Sequence, residues 1–356
     1  MFRKKKKLLL ASIAVLIVLM IADIWTKQFY QIFEQFGEQF VNEQKTYNYS
    51  KAHPDATADS KHELTVDRKS IEHVLLTGVE GDISVKRTPE SVIRLQYTVT
   101  AKANDQNEAN RKRDAVQVEK KVENGQLTFV TLVDGKPIGS DSITTDYVLL
   151  IPDQLKLSVE SEEGSILIDG IHGDVNVKST HGLMDVSNTV GTVSVDTASE
   201  NVYIDGITGD VHLVSHSSEV NLNRVAGNVT TDVHQGSIFL TQIKGDVTGV
   251  FESSPSYMRE IAGSVKVEGQ YSDIQMDQIR GAAQIVSHGG TTRLVLSKDV
   301  GYTLRASVDG GAIQSNLPAK QEASDDNKVQ LNRTIGNGTW PVDVDAESCT
   351  IIIHSN

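Results

Sequence analysis

Three sets of side chains combine reactive or sticky chemistry with a shared arithmetic. Asp174, Asp210 and Asp246 recur every 36 residues, while His216, His234 and Glu252 follow one another at 18, with His288 another 36 on. Leu167, Tyr203 and Phe239 are likewise 36 apart, and Tyr257 lies 18 beyond. Carboxylates two strand spacings apart, about 9.6 Å, stand near the ~6.5–9.5 Å of an inverting glycosidase pair. Neighbouring imidazoles beside a carboxylate are metal-ligand types, and the same residues could repel one another in acid. Aromatic side chains on a solvent face are the common hot spots of interfaces and sugar platforms. None of this operates unless the fold sets residues eighteen apart side by side.

A repeat does so. From Gly173 to Gly281 every eighteenth residue is glycine, and two positions further on stand Val175, Val193, Val211, Val229, Val247, Val265 and then Ala283. Counting each period from Gly164 as position 1, the apolar residues fall at positions 3, 5, 8, 12 and 14, two short runs alternating at period two. Such alternation predicts strands with one buried face, and the glycine between the runs is expected to supply positive-φ corners. Each period is therefore one coil with two strands. A lone coil buries too little to offset the entropy of fixing its backbone, so copies must stack at about 4.8 Å in register. The expected fold class is all-β, a parallel β-solenoid of 18-residue coils. A hexapeptide solenoid needs an aliphatic residue every six positions, and a calcium-binding nonapeptide roll needs three glycines per loop; neither pattern is present.

In that frame the acidic residues follow a corner glycine at position 11, where they are ordinary turn residues, and no basic column flanks them. The histidines occupy position 17, another turn, and no third ligand stands at a defined spacing. No catalytic residue, metal ligand or cofactor is assigned, and the chain is read as not an enzyme. The aromatic column at position 4, with Tyr203, Phe239 and Tyr257, is the candidate ligand face. The single cysteine, Cys349, excludes an intramolecular disulfide framework and reads as an inert structural thiol beside a final strand. The formal charge is −13 with +5 from Arg3 and Lys4–Lys7, so the remainder carries −18, which argues against nucleic acid.

The N-terminus sets that basic cluster against an apolar run from Leu8 to Trp25, broken only by Asp23. Eighteen helical residues reach about 27 Å, enough to cross a bilayer core. A cleavage motif ending at Ala22 would carry the bulky Met20 at its first position, so an uncleaved signal anchor is expected, with the N-terminus cytoplasmic and the solenoid extracytoplasmic. Phe29, Phe33, Phe36 and Phe40 recur on one helical face and predict a juxtamembrane amphipathic helix, able to lie on the leaflet or to pair with another copy. The organisation is then a basic tail (1–7), a transmembrane helix (8–27), the amphipathic helix (28–45), a linker (46–63), an N-terminal β region (64–163), the solenoid (164–298) and a C-terminal cap (299–356). Within the β region, "VEGDISVKRTPESVIRLQYTVTAKA" reads as paired strands, "NDQNEANRKRDAV" as a polar helix or excursion, and Pro152 as the close of a strand.

With "LLIPDQLKLSVESEEGSILIDGIHGDVNV" in view, the chain from about Leu64 to its end resembles the bacterial putative-adhesin family of envelope β-solenoids. The resemblance implies an extracytoplasmic solenoid of mostly unassigned biochemistry, often single-pass anchored; it speaks to architecture and hardly to chemistry. The leading expectation is a membrane-anchored binding or scaffold surface whose partner is a cell-wall polymer or another envelope protein, with the oligomeric state open. A regulatory or envelope-stress component acting through a membrane partner is the alternative, and a polysaccharide-processing β-helix the lesser one.

Overall fold

The computed structural model describes residues 56–136, 142–198, 201–317, 322–325 and 327–355. Among these the fold is all-β, with 29 strands and one helix. The strands form two long, mostly parallel sheets of 14 and 15 strands, and each eighteen-residue coil gives one strand to each. Val175 stands opposite Val193, Val193 opposite Val211 and Val211 opposite Val229, so each side chain meets its counterpart eighteen residues on. Ile168, Val186, Ile204, Leu222 and Leu240 on one sheet and Val175, Val193, Val211, Val229 and Val247 on the other are at most 1% exposed and belong to one core.

The glycine column works differently from the expectation. Of the seven glycines from Gly173 to Gly281 only Gly191 has a positive φ. What they share is a close approach: a Cβ on Gly245 would stand 2.5 Å from the carbonyl carbon of Gly227 and nearer still to its oxygen, and the other glycines of the column meet the preceding coil in the same way. The left-handed corners lie elsewhere, at position 7 (Asn188, Arg224, Gln242, Glu260, Gln278) and position 18 (Ser217, Gln235, Ser253, Tyr271), and are mostly not glycine. Their strain is offset by coil-to-coil hydrogen bonds: the Ser217 N–H donates to His234 O at 2.8 Å and the Tyr271 N–H to His288 O at 2.7 Å.

Both ends of the stack are out of chain order. The coil His73–Glu80 with Ile83–Arg87 lies between Lys156–Glu163 with Ile166–Asp169 on one side and Gln126–Val133 with Ile143–Ile151 on the other. At the far end Trp340–Glu347 and Thr350–Ser355 are inserted between Ala283–His288 with Thr291–Leu296 and the coil Tyr302–Asp309 with Ala312–Ser315. The outer strands turn antiparallel and polar, as in Val116–Glu123 and Lys328–Ile335, or are short, as in Ala312–Ser315, which blunts edge-to-edge aggregation.

Two local expectations need correction. Ile83–Arg87 and Val92–Ala103 do not pair with each other, because Ile143–Ile151 returns between them, parallel to the first and antiparallel to the second. The last part of the linker is strand: Ala56–Asp67 pairs along its whole length with Val92–Ala103. Backbone bonding needs no apolar alternation, and the small Ala58 packs with Ala103 and with Ala109 of the helix Gln106–Asp114. That helix is the polar excursion read from sequence, capped where Asp105 accepts from the Glu108 N–H at 2.9 Å. Ile151 ends its strand immediately before Pro152, as expected. The predicted span (8–27) and the helix carrying Phe29, Phe33, Phe36 and Phe40 lie outside the described residues, among which no helix is long and apolar enough to cross a membrane.

Candidate functional site

On the outer face of the 14-stranded sheet the position-4 column runs Asp185, Tyr203, Asn221, Phe239, Tyr257, Gln275, one residue per coil. Phe239 and Tyr257 stack with ring centroids 4.9 Å apart and planes 6° from parallel. Tyr257 and Leu167 are exposed, while Tyr203 and Phe239 are half-buried. Tyr203 stands apart from the pair, separated by the Asn221 coil. Burial first, then the charges of Glu219 and Asp185, raises its phenol above the ordinary value. The column thus offers one aromatic pair and one outlying ring along a straight line.

Asp185, below Tyr203, is a perturbed carboxylate of this face: burial raises it, with a Ser187 hydrogen bond opposing the shift and Asp169 and Asp205 adding to it. The folded chain therefore keeps this proton to higher pH than the unfolded chain, so the contribution of Asp185 is least unfavourable below the ordinary carboxylate range and worsens as pH rises through the folded value. Asp185→Asn is expected to raise the urea midpoint at about pH 7 and to change it little at about pH 3, where both states are protonated. An equal gain at both pH values would show that ionisation of a buried carboxylate is not the cause. The neighbouring Asp205 is tied to Arg224, whose Nε donates to it at 2.8 Å, and accepts from Asn223 at 3.0 Å.

The position-11 carboxylates serve the backbone. Asp174 accepts from the Thr192 N–H at 3.1 Å, Asp210 from Asn228 at 2.7 Å and Asp246 from Ser264 at 2.7 Å, each on the following coil. Asn228 does the same for the Asp246 N–H at 2.9 Å, so the column needs an acceptor rather than a charge. It is a seam joining coil to coil at the corner.

His216 and His234 stack at 5.1 Å with planes 10° apart. His234 Nδ1 bonds Glu252 Oε2 at 2.9 Å, and its Nε2 lies 2.9 Å from Asp232 Oδ1 as an ion-pair contact. His288 faces Glu347 at 3.4 Å. Asp232, two residues before His234 on the same strand face, was readable from alternation. Glu347 was not, because the coil that brings it there is threaded back from the C-terminus. Stacked rings present their faces to one another, and among the described residues no group of three or more His, Cys, Asp or Glu side chains is arranged to hold a metal. Cys349 is buried just before the last strand, donating to Glu347 O at 3.0 Å and Ser287 O at 3.3 Å.

Among the described residues two exposed rings, Tyr271 and Trp340, escaped the sequence reading. Tyr271, 78% exposed, occupies a left-handed corner at position 18, outside the strand alternation that singled out the other aromatics.

Residues 71–354 match the family model described as Toastrack DUF4097. Among solved structures the chain is similar to a "putative adhesin" from Parabacteroides merdae ATCC 43184, with 12% identity over 83% of this chain and 95% of that one and a TM-score of 0.34. A "putative adhesin" from Bacteroides fragilis NCTC 9343 aligns at 10% identity over 85% of this chain and 100% of that one, TM-score 0.31. A "putative cell adhesion protein" from Clostridium sporogenes ATCC 15579 aligns at 11% identity over 84% and 100%, TM-score 0.21. No curated protein matches the chain.

Proposed function

Since the chain belongs to the Toastrack DUF4097 family, whose model matches residues 71–354, we propose that it is a non-catalytic, adhesin-like binding surface of the bacterial cell envelope. In this reading the apolar run Leu8–Trp25 is a single-pass anchor, the lysines before it stay in the cytoplasm, and the solenoid stands outside. The observation that carries the proposal is the outer face of the 14-stranded sheet, where Tyr257 is exposed and stacked on Phe239 and Tyr203 lies on the same line. The acidic column supports a non-catalytic role, because its carboxylate oxygens accept backbone N–H groups from the next coil.

The test is binding of the full chain to purified cell-wall polymer and to anionic vesicles, beside a Tyr203→Ala/Phe239→Ala/Tyr257→Ala variant of matched thermal stability. Wild type is expected to bind the wall polymer and the variant to lose at least about tenfold, as central aromatic hot spots do. A variant that binds as well as wild type would remove the face from consideration. A folded wild type that binds neither material would defeat the surface reading and turn attention to a membrane partner for the amphipathic helix expected at Phe29–Phe40.

A further inference from the structure

The 14-stranded sheet outruns the other at the N-terminal end of the stack. Beyond the coil His73–Glu80 with Ile83–Arg87 it continues through Ile143–Ile151, Val92–Ala103 and Ala56–Asp67, whereas the 15-stranded sheet continues only through Gln126–Val133 and Val116–Glu123. Ala56–Asp67 is therefore an overhanging edge. At 12 residues it is the longest of the strands that end the two sheets among the described residues. Two side chains show which way its backbone faces, because alternate residues of an antiparallel strand turn both polar groups to the same side. Gln106 Nε2 donates to Thr57 O and Lys120 Nζ to Thr65 O, each at 3.2 Å, so the odd-numbered residues face away from Val92–Ala103. The Arg68 N–H, donating to Ser91 O at 3.3 Å, gives the even-numbered residues the opposite sense. Between the two caps the N–H and C=O groups of Asp59, Lys61 and Glu63 have no partner among the described residues. An open edge of this kind can take another strand.

Charge and register narrow the choice of strand. Asp59, Lys61 and Glu63 alternate in sign along the outer face, which rejects an indiscriminate partner but suits a second copy laid antiparallel. A two-fold axis at Lys61 would set that lysine against itself and Asp59 against Glu63, and like charges directly opposite repel. With the axis at His62, Lys61 faces Glu63 on both sides of the joint, and residues 57–67 of each copy overlap. An axis at Ser60 would overlap only residues 56–64. Lys61 makes no ion pair among the described residues. Glu63 accepts from Gln96 at 3.0 Å and lies 3.6 Å from Arg94, and its carboxylate has further lone pairs to offer. On the inner face the exposed His62 stacks on Tyr97 with ring centroids 4.8 Å apart, and the same ring of a second copy would extend that row.

We propose that two copies of this chain pair through Ala56–Asp67, antiparallel about a two-fold axis at His62, so that their 14-stranded sheets run on as one. The pairing uses backbone groups that the single chain leaves open, and it does not depend on the aromatic face.

The experiment is oxidative cross-linking and sedimentation of the full chain in excess detergent. His62→Cys is expected to give a disulfide dimer, because opposite residues at a non-hydrogen-bonded position have Cα atoms about 4.5 Å apart, within the ~4.4–6.8 Å that a disulfide spans. Ser60→Cys faces Leu64 of the second copy and should yield at least tenfold less dimer, and wild type, whose Cys349 is buried, none. In the His62→Cys chain, Lys61→Glu sets like charges across the joint, and Lys61→Pro removes an outward N–H without touching the bonds to Val92–Ala103. Each should cut the yield at least tenfold at matched thermal stability, while Lys61→Arg keeps it. Wild type without oxidant should sediment as a dimer and Lys61→Glu as a monomer. Ser60→Cys cross-linking as readily as His62→Cys would overturn the register. A monomeric wild type, or a His62→Cys dimer that survives both Lys61→Glu and Lys61→Pro, would overturn the pairing itself.

Discussion

Gly245→Ala is expected to destabilise the solenoid by about 3 kcal/mol, at the upper end for overpacking, because what it strikes is backbone. The sign separates two explanations for the glycine column. Gly245 is not in the positive-φ region, so on backbone freedom alone alanine would restrict the unfolded chain and stabilise the protein by roughly 0.4–1 kcal/mol. Sterically, the new Cβ would lie 2.5 Å from the Gly227 carbonyl carbon and 2.7 Å from Asn228 Oδ1. The side-chain amide can swing away; the carbonyl sits in the stack and cannot move without shifting its own coil. A denaturation midpoint that falls at unchanged slope is the expected readout, with exposed Thr248→Ala as a control within about 0.5 kcal/mol. A midpoint that rises would mean the coils can slide apart and that the column of glycines has another cause.

The same residue shows what the sequence could and could not disclose. The eighteen-residue period made the coils, their parallel pairing and the inward columns legible, because alternation and repetition act locally and identically in every coil. It also located the aromatic line and the histidine neighbours, since register follows directly from period. The role of the glycines was misread because glycine answers two different needs, a left-handed backbone and a close approach, and only three-dimensional stacking tells them apart. Non-glycine corners such as Asn188 and Ser217 were invisible for the complementary reason: hydrogen bonds to the adjoining coil sustain a backbone that their residue types do not advertise. Departures from chain order at the two ends, which bring Glu347 to His288, depend on long-range pairing and leave no periodic trace. For the proposed ligand face, sequence supplied the residues, and the structure added the separation of Tyr203 from the stacked pair and the half-buried carboxyl of Asp185.

Phe251→Ala is expected to cost about 3–5 kcal/mol, and the loss should be partly reversed by a second substitution that on its own is harmful. In most coils position 14 is large and position 16 small: Val177 with Ser179, Leu213 with Ser215, Ile285 with Ser287. Around Phe251 the order is inverted. Gly249 stands where the large residue belongs, and the fully buried Phe251 ring fills the space from position 16. A Cβ on Gly249 would lie 2.5 Å from Phe251 Cζ and 3.0 Å from Thr231 Oγ1, so Gly249→Val alone should overpack the core by roughly 1–3 kcal/mol. With Phe251 shortened the clash with its ring disappears, leaving only the Thr231 hydroxyl, which can rotate, and the valine occupies part of the cavity in the arrangement that Val267 and Gly269 use in the following coil. The double variant Gly249→Val/Phe251→Ala should therefore be more stable than Phe251→Ala, with a favourable coupling of about 2 kcal/mol or more in a double-mutant cycle. Strict additivity of the two losses would mean that the ring and the glycine do not share one space, and that the inverted pair is an accident of two independent positions rather than a single exchanged volume.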